Sequence, residues 1–144
     1  MTKILHMIVP MRIRRYLLML SGDKRWYVTK RIPNDYTRQT KMRCLIYVSD
    51  HRMGYEGLSG HICGQFDSKR VLCLKWRATD WEKRPETEGW DVGYTKSELN
   101  KMKGCDLYLW EMTNEEILVD PKELKDFGLT TPPTTWAYLG EETN

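Results

Sequence analysis

Apolar runs in this chain are short, and most are closed by a turn residue. The longest candidate, Ile4 to Val9, is interrupted by His6 and followed by Pro10. A helix that crosses a bilayer needs about 18 apolar residues, so no membrane span is expected. Runs of this length suit strands better than helices. Ile4–Val9, Arg25–Arg31, Arg43–Ser49, Gly57–Phe66, Val71–Trp76, Leu107–Met112, Ile117–Val119 and Thr134–Leu139 all read as strands. Glycines at 57, 60 and 64 fall within one of them, which marks sharp bending or close backbone approach. Three segments read as short helices: Met11–Leu20, Lys96–Lys103 and Lys122–Phe127. In the first, Ile13, Tyr16, Leu17 and Leu20 share a face, Pro10 suits the first turn, and Ser21-Gly22 supplies the stop. The helices are too few, and alternate too little with the strands, for a doubly wound sheet. The expected fold is α+β, a small β-barrel of about six to seven strands with two to three short inserted helices, as one domain over residues 1–144.

Charge divides the chain unevenly. Residues 1–84 carry a net charge of +11 and residues 85–144 a net charge of −8, although the whole is only +3. A basic half of this size attracts polyanions, and the two halves also attract one another. The four cysteines (Cys44, Cys63, Cys73 and Cys105) form no C-x-x-C pair, and Arg12, Arg14 and Arg15 break up any secretory signal core. A reducing cytoplasm with free thiols is therefore expected. His51, His61, Cys63 and Cys73 match no zinc spacing. Neither a metal nor a cofactor is expected.

Cations and aromatics concentrate between Gly22 and Pro33 (Gly-Asp-Lys-Arg-Trp-Tyr-Val-Thr-Lys-Arg-Ile-Pro). Strand alternation puts Arg25, Tyr27, Thr29 and Arg31 on one side, with Trp26, Val28, Lys30 and Ile32 on the more apolar other side. Tyr27 and Arg31 then face a solvated groove and Trp26 faces the core. Lys30 reaches the groove only by snorkelling or a bend. Lys24 follows the Gly22-Asp23 turn and is expected at a cleft mouth. Arg12 and Arg15 extend the positive track. Among the aromatics, Tyr55, Trp81 and Trp90 lie on predicted loops and suit base stacking, worth about 1–3 kcal/mol per base. Trp110 and Trp136 follow strand patterns and suit the core.

Several motifs, taken in order, resemble the ASCH domain of the PUA-like β-barrel superfamily, in its phage and prophage variety. Leu18–Lys24 resembles the family's helix end and G-x-K turn. Lys30-Arg31-Ile32-Pro33 resembles its basic strand end, and Gly60–Phe66 its G-x-x-x-G-E-F strand. Leu107–Met112, Pro121–Phe127 and Pro132–Tyr138 resemble its closing strand, helix and P-P-x-S-W-x-Y end. The resemblance implies contact with RNA or a modified nucleoside or nucleotide in a cleft. It also implies that some members are ribonucleases or remove the acetyl group from N4-acetylcytidine. This chain departs from the pattern where chemistry would need it most. Tyr27 and Thr29 stand where the family has glutamate and arginine, and Gln65 stands where it has glutamate.

The expected function is therefore RNA binding without catalysis, through Lys24, Arg25, Tyr27, Thr29, Lys30, Arg31, Gln65, Tyr55 and Trp81. Two alternatives stay open. One is a ribonuclease or amidohydrolase using Lys24 and Tyr27, with a displaced base at Glu82, Glu86 or Glu88. The other is a phage module that inhibits a host protein, using the acidic second half as its contact surface.

Overall fold

In the computed structural model, residues 3–22, 24–37, 39–74, 101 and 104–143 are described. They form eight strands, one α-helix and one 3-10 turn. The order is β1 (Lys3–Met11), α1 (Ile13–Leu20), β2 (Trp26–Thr29), β3 (Thr40–Val48), β4 (Ile62–Ser68), β5 (Val71–Leu74), β6 (Leu107–Glu111), β7 (Thr113–Lys122), the 3-10 turn (Leu124–Phe127) and β8 (Ala137–Thr143). The short helix expected at Lys96–Lys103 falls almost wholly outside the described residues, as do Trp81 and Trp90.

The strands make two sheets among the described residues, not the single closed barrel expected. Five strands run in the order β7-β4-β3-β1-β8 and three in the order β2-β6-β5. β1 and β3 are parallel, with Lys3 opposite Thr40 and Met11 opposite Val48. The other pairs are antiparallel. Parallel pairing brings the C-terminal ends of β1 and β3 together, and the Ser49 amide donates to the Met11 carbonyl at 3.0 Å. That end of the sheet is where the cavity described below opens.

Alternation along β1 and β3 divides the apolar side chains between two faces. Leu5, Met7, Val9, Met42, Cys44 and Ile46 meet Ile13, Tyr16 and Met19 of α1 and Tyr27, Phe66 and Trp110 in one buried cluster. That cluster draws on both sheets. On the other face, Ile8, Tyr47 and Ile62 pack beneath Leu118, Leu124, Phe127 and Leu139.

The helix differs from expectation at its start and in its stripe. Pro10 belongs to β1, and α1 begins at Ile13. The Asp50 carboxylate accepts a hydrogen bond from the Ile13 amide at 2.7 Å. It thereby caps the helix from a different segment. The buried stripe is Ile13, Tyr16 and Met19, while Leu17 and Leu20 are partly exposed. The stop is as expected: Gly22 is left-handed, at φ 84°, the usual conformation of a glycine that ends a helix.

β4 begins at Ile62, because Gly57–His61 is spent on turns closed by Leu58 to Tyr55 and His61 to Leu58 hydrogen bonds. Close approach holds at Gly64. A Cβ there would lie 2.9 Å from the Glu116 carbonyl and 2.9 Å from the Tyr16 hydroxyl. β7 is longer than the expected Ile117–Val119 because it is an edge strand, whose outer face tolerates Glu115, Glu116 and Asp120. The four thiols are free; Cys44 and Cys63 are buried and Cys73 is exposed. No helix among the described residues is long and apolar enough to cross a membrane.

Candidate nucleic-acid interface

A cavity of about 690 Å³ opens between the start of α1, the end of β2 and the segment before β8. Arg12, Arg15, Lys24, Lys30 and Arg31 contribute five cations to its lining. Thr29, Ser49, Thr134 and Thr135 add hydroxyls, and no carboxylate is among the described residues that line it.

The positive rim follows from the way β2 ends. β2 stops at Thr29, and Lys30 and Arg31 follow it as exposed residues. Lys30 therefore reaches the cavity through the end of the strand, with no need to cross the sheet. Among the described residues, Arg12, Lys30 and Arg31 make no ion pair. These three charges are available to an anion.

The floor is made of groups whose hydrogen bonds are already committed. Thr29 is 7% exposed, and its Oγ1 accepts from Trp110 Nε1 at 2.9 Å and donates to the Arg31 carbonyl. This hydroxyl links a fully buried indole to the backbone of a rim cation. The Tyr27 hydroxyl donates to the Pro10 carbonyl at 2.9 Å. Its ring packs edge-on against Trp110 at 5.6 Å and at a tilt of 46° against Phe66 at 5.9 Å. At 9% exposure Tyr27 is a floor and core residue, where the sequence pattern put it on a solvated groove. Lys24 is 1% exposed, not at a cleft mouth. Its Nζ donates to the Trp26 carbonyl at 2.6 Å and lies 6.0 Å from the Tyr27 ring centroid. A lysine held this way presents its charge from the wall; it is not a mobile clamp.

Five of the nine expected site residues thus share one cavity: Lys24, Tyr27, Thr29, Lys30 and Arg31. Arg25 is exposed beside a separate hollow with Met19, Leu20 and Met112. Gln65 donates to Glu116 at 2.9 Å in another hollow. In that hollow, burial would raise the Asp67 carboxyl, but hydrogen bonds from Lys41, Arg43 and Asn114 hold it below its ordinary value. Tyr55 is exposed in the turn-rich loop after β3 and does not line the cavity. Trp81, Glu82, Glu86 and Glu88 lie outside the described residues. Trp26, Trp110 and Trp136 are packed as expected, with Trp136 against Trp110 at 5.8 Å and the Arg70 guanidinium 5.4 Å from the Trp26 ring centroid.

Ser49 and Thr134–Thr135 were not foreseen as lining residues. Ser49 arrives through the parallel pairing of β1 with β3, which no local signal encodes. Pro132-Pro133 leads into β8, which starts beside the end of β1, so the segment that feeds it passes over this end of the sheet.

One mixed and one antiparallel sheet, with α1 capped from the loop after β3, thus hold a basic cavity at their joint. The ASCH protein of Zymomonas mobilis has this fold, with a TM-score of 0.68 at 13% identity over 94% of this chain and 87% of that one. Two point mutants of the same protein give the same TM-score at 13% and 12% identity, over 94% of this chain and 88% and 90% of theirs. No protein-family model matches the sequence, and no curated protein does.

Proposed function

We propose that this chain is an RNA-binding domain that holds a short RNA segment, or a single plain or modified nucleotide, in the basic cavity without cleaving it. One observation carries this reading: five cations and four hydroxyls converge on about 690 Å³ with no carboxylate among the described lining residues. Cations position phosphates, while hydrolysis needs a group to take a proton from water. Tyr27 and Thr29, which stand where the resembled family carries charge, spend their hydroxyls on the protein's own backbone and on Trp110. Following the sequence resemblance, the RNA is host or phage RNA met in a reducing cytoplasm.

The test is fluorescence anisotropy with a labelled single-stranded RNA of about twelve nucleotides, titrated from about 50 to about 200 mM salt. Arg12, Lys30 and Arg31 contacting three phosphates give a log–log salt slope of about −2. Lys30→Ala with Arg31→Ala should weaken binding and flatten the slope by about 1.4. RNA that fails to bind even at the lowest salt would sink the proposal. RNA that is shortened during the titration would favour the hydrolytic reading instead.

A second reading, a protein contact, draws on β7. This edge strand presents Ile117 and Val119, 65% and 95% exposed, beside Glu115, Glu116 and Asp120. Val119→Lys distinguishes the two surfaces, since it should leave RNA affinity unchanged.

A further inference from the structure

Charge density in the cavity exceeds what an internal stretch of RNA supplies. Pockets that enclose one small-molecule-sized group measure roughly 300–1000 Å³. This cavity, at about 690 Å³, lies within that range. One nucleotide, or two, fills it. An internal nucleotide brings one negative charge, on its phosphodiester. Arg12, Lys30 and Arg31 alone offer three charges with no ion pair among the described residues, and Arg15 and Lys24 stand in the same lining. The α1 N-terminus adds nothing to this count, because the Asp50 carboxylate already occupies the Ile13 amide.

Among the described lining residues there is no open aromatic face. Tyr27, the one aromatic among the described lining residues, is packed against Trp110 and Phe66 and is 9% exposed. Thr29, Ser49, Thr134 and Thr135 bring hydroxyls, groups of the kind that meet phosphate and sugar oxygens. Charge without a stacking platform among the described lining residues suits a phosphate cluster better than a base.

We infer that the cavity recognises the phosphate-bearing terminus of a nucleotide chain: a terminal monophosphate or oligophosphate, with the adjoining sugar against the hydroxyls. This rests on the RNA-binding reading and narrows it. A terminal phosphomonoester carries about −1.5 to −2 at neutral pH, against −1 for an internal diester, and an oligophosphate carries more in nearly the same space. Free nucleotides share this chemistry, so the test must separate them from RNA ends.

Four probes are compared by anisotropy or competition at about 150 mM salt. Three are one RNA sequence of about ten nucleotides with a 5′-triphosphate, with a 3′-phosphate, or with hydroxyls at both ends. The fourth is a free nucleoside triphosphate. A phosphorylated end should bind about tenfold tighter than the hydroxyl-ended RNA, as expected for one or two more close charge pairs. Lys30→Ala with Arg31→Ala should erase that difference; Lys69→Ala, an exposed cation outside the cavity, should leave it intact. Free nucleoside triphosphate that competes as well as the RNA end would keep the phosphate-terminus inference and overturn RNA as its source. Equal affinity for phosphorylated and hydroxyl-ended RNA would overturn the inference while leaving RNA binding in place. If none of the four probes binds, both fall.

Discussion

Thr29→Val tests the link between core and cavity rim. Valine matches threonine in shape, so packing is nearly unchanged and the hydroxyl alone is lost. Two hydrogen bonds go with it, from Trp110 Nε1 and to the Arg31 carbonyl. Their costs differ. Arg31 is exposed, so water can replace Thr29 at its carbonyl. Trp110 is 0% exposed, so its indole N–H is left in a dry core. An unsatisfied buried donor costs about 1–3 kcal/mol. Exchanging a hydroxyl for a methyl returns at most about 0.8 kcal/mol of apolar burial. The net expectation is a loss of about 1–2 kcal/mol, which for a chain of this length lowers the melting temperature by roughly 3–8 °C.

The assay is urea unfolding followed by tryptophan fluorescence, run on wild type, Thr29→Val, Thr29→Ser, Trp110→Phe and the double variant Thr29→Val with Trp110→Phe. Serine keeps the hydroxyl and should retain most of the stability that valine loses. The double variant should be more stable than the sum of the two single losses implies, because the second change removes the donor that the first left unpaired. Thr29→Val within about 0.5 kcal/mol of wild type, or Thr29→Ser no better than Thr29→Val, would refute the reasoning. So would strictly additive losses.

A Cβ at Gly64 would meet the Glu116 carbonyl and the Tyr16 hydroxyl at 2.9 Å each. Gly64→Ala should therefore cost about 1–3 kcal/mol in thermal or urea unfolding. Burial first, and the nearby Cys63 second, push Tyr16 up to about 12 from 10.0. The unfolded chain ionises earlier, so stability should fall from about pH 10 upward. Tyr16→Phe should flatten that decline, at about 0.5–1.5 kcal/mol for the lost bond to the Cys63 carbonyl. The Asp67 carboxyl lies below its ordinary value of 3.8, so its contribution is complete above that pH and is lost as pH falls through the depressed folded value. Asp67→Asn should cost about 1–3 kcal/mol at neutral pH and make acid unfolding less steep; an unchanged acid limb would show that the Lys41, Arg43 and Asn114 contacts are not carrying it.

Sequence pattern located what local chemistry controls. The apolar runs became strands, Gly22 became the left-handed helix stop, and Trp26 and Trp110 went to the core. What it misplaced depends on partners far away along the chain. Asp50 caps a helix 37 residues earlier, which moved the start of α1 past Pro10. The parallel pairing of β1 with β3 brings Ser49 to the cavity. Lys24 looked like a free cation at a turn, and the fold turns its ammonium toward the Trp26 carbonyl instead. Alternation was read through Arg31, yet β2 ends at Thr29, so Lys30 and Arg31 reach the same cavity from positions that strict alternation separates.

The middle of the Gly22–Pro33 stretch accounts for the division of labour in the site. At Tyr27 and Thr29 the resembled family carries a carboxylate and a guanidinium. Here both positions are nearly buried, and both direct their polar atoms inward, to the Pro10 carbonyl, to Trp110 Nε1 and to the Arg31 carbonyl. A group that already donates to a backbone carbonyl must break that bond before it can move a proton on a ligand, which opposes its use as an acid or base. Moving charge from floor to rim changes what the cavity offers. Its fixed floor holds Arg31 in place through Thr29, and Arg12 and Lys30 supply charge beside it without ion pairs of their own among the described residues. Under the proposed function, charges already held in this way would meet a phosphate with little reorganisation.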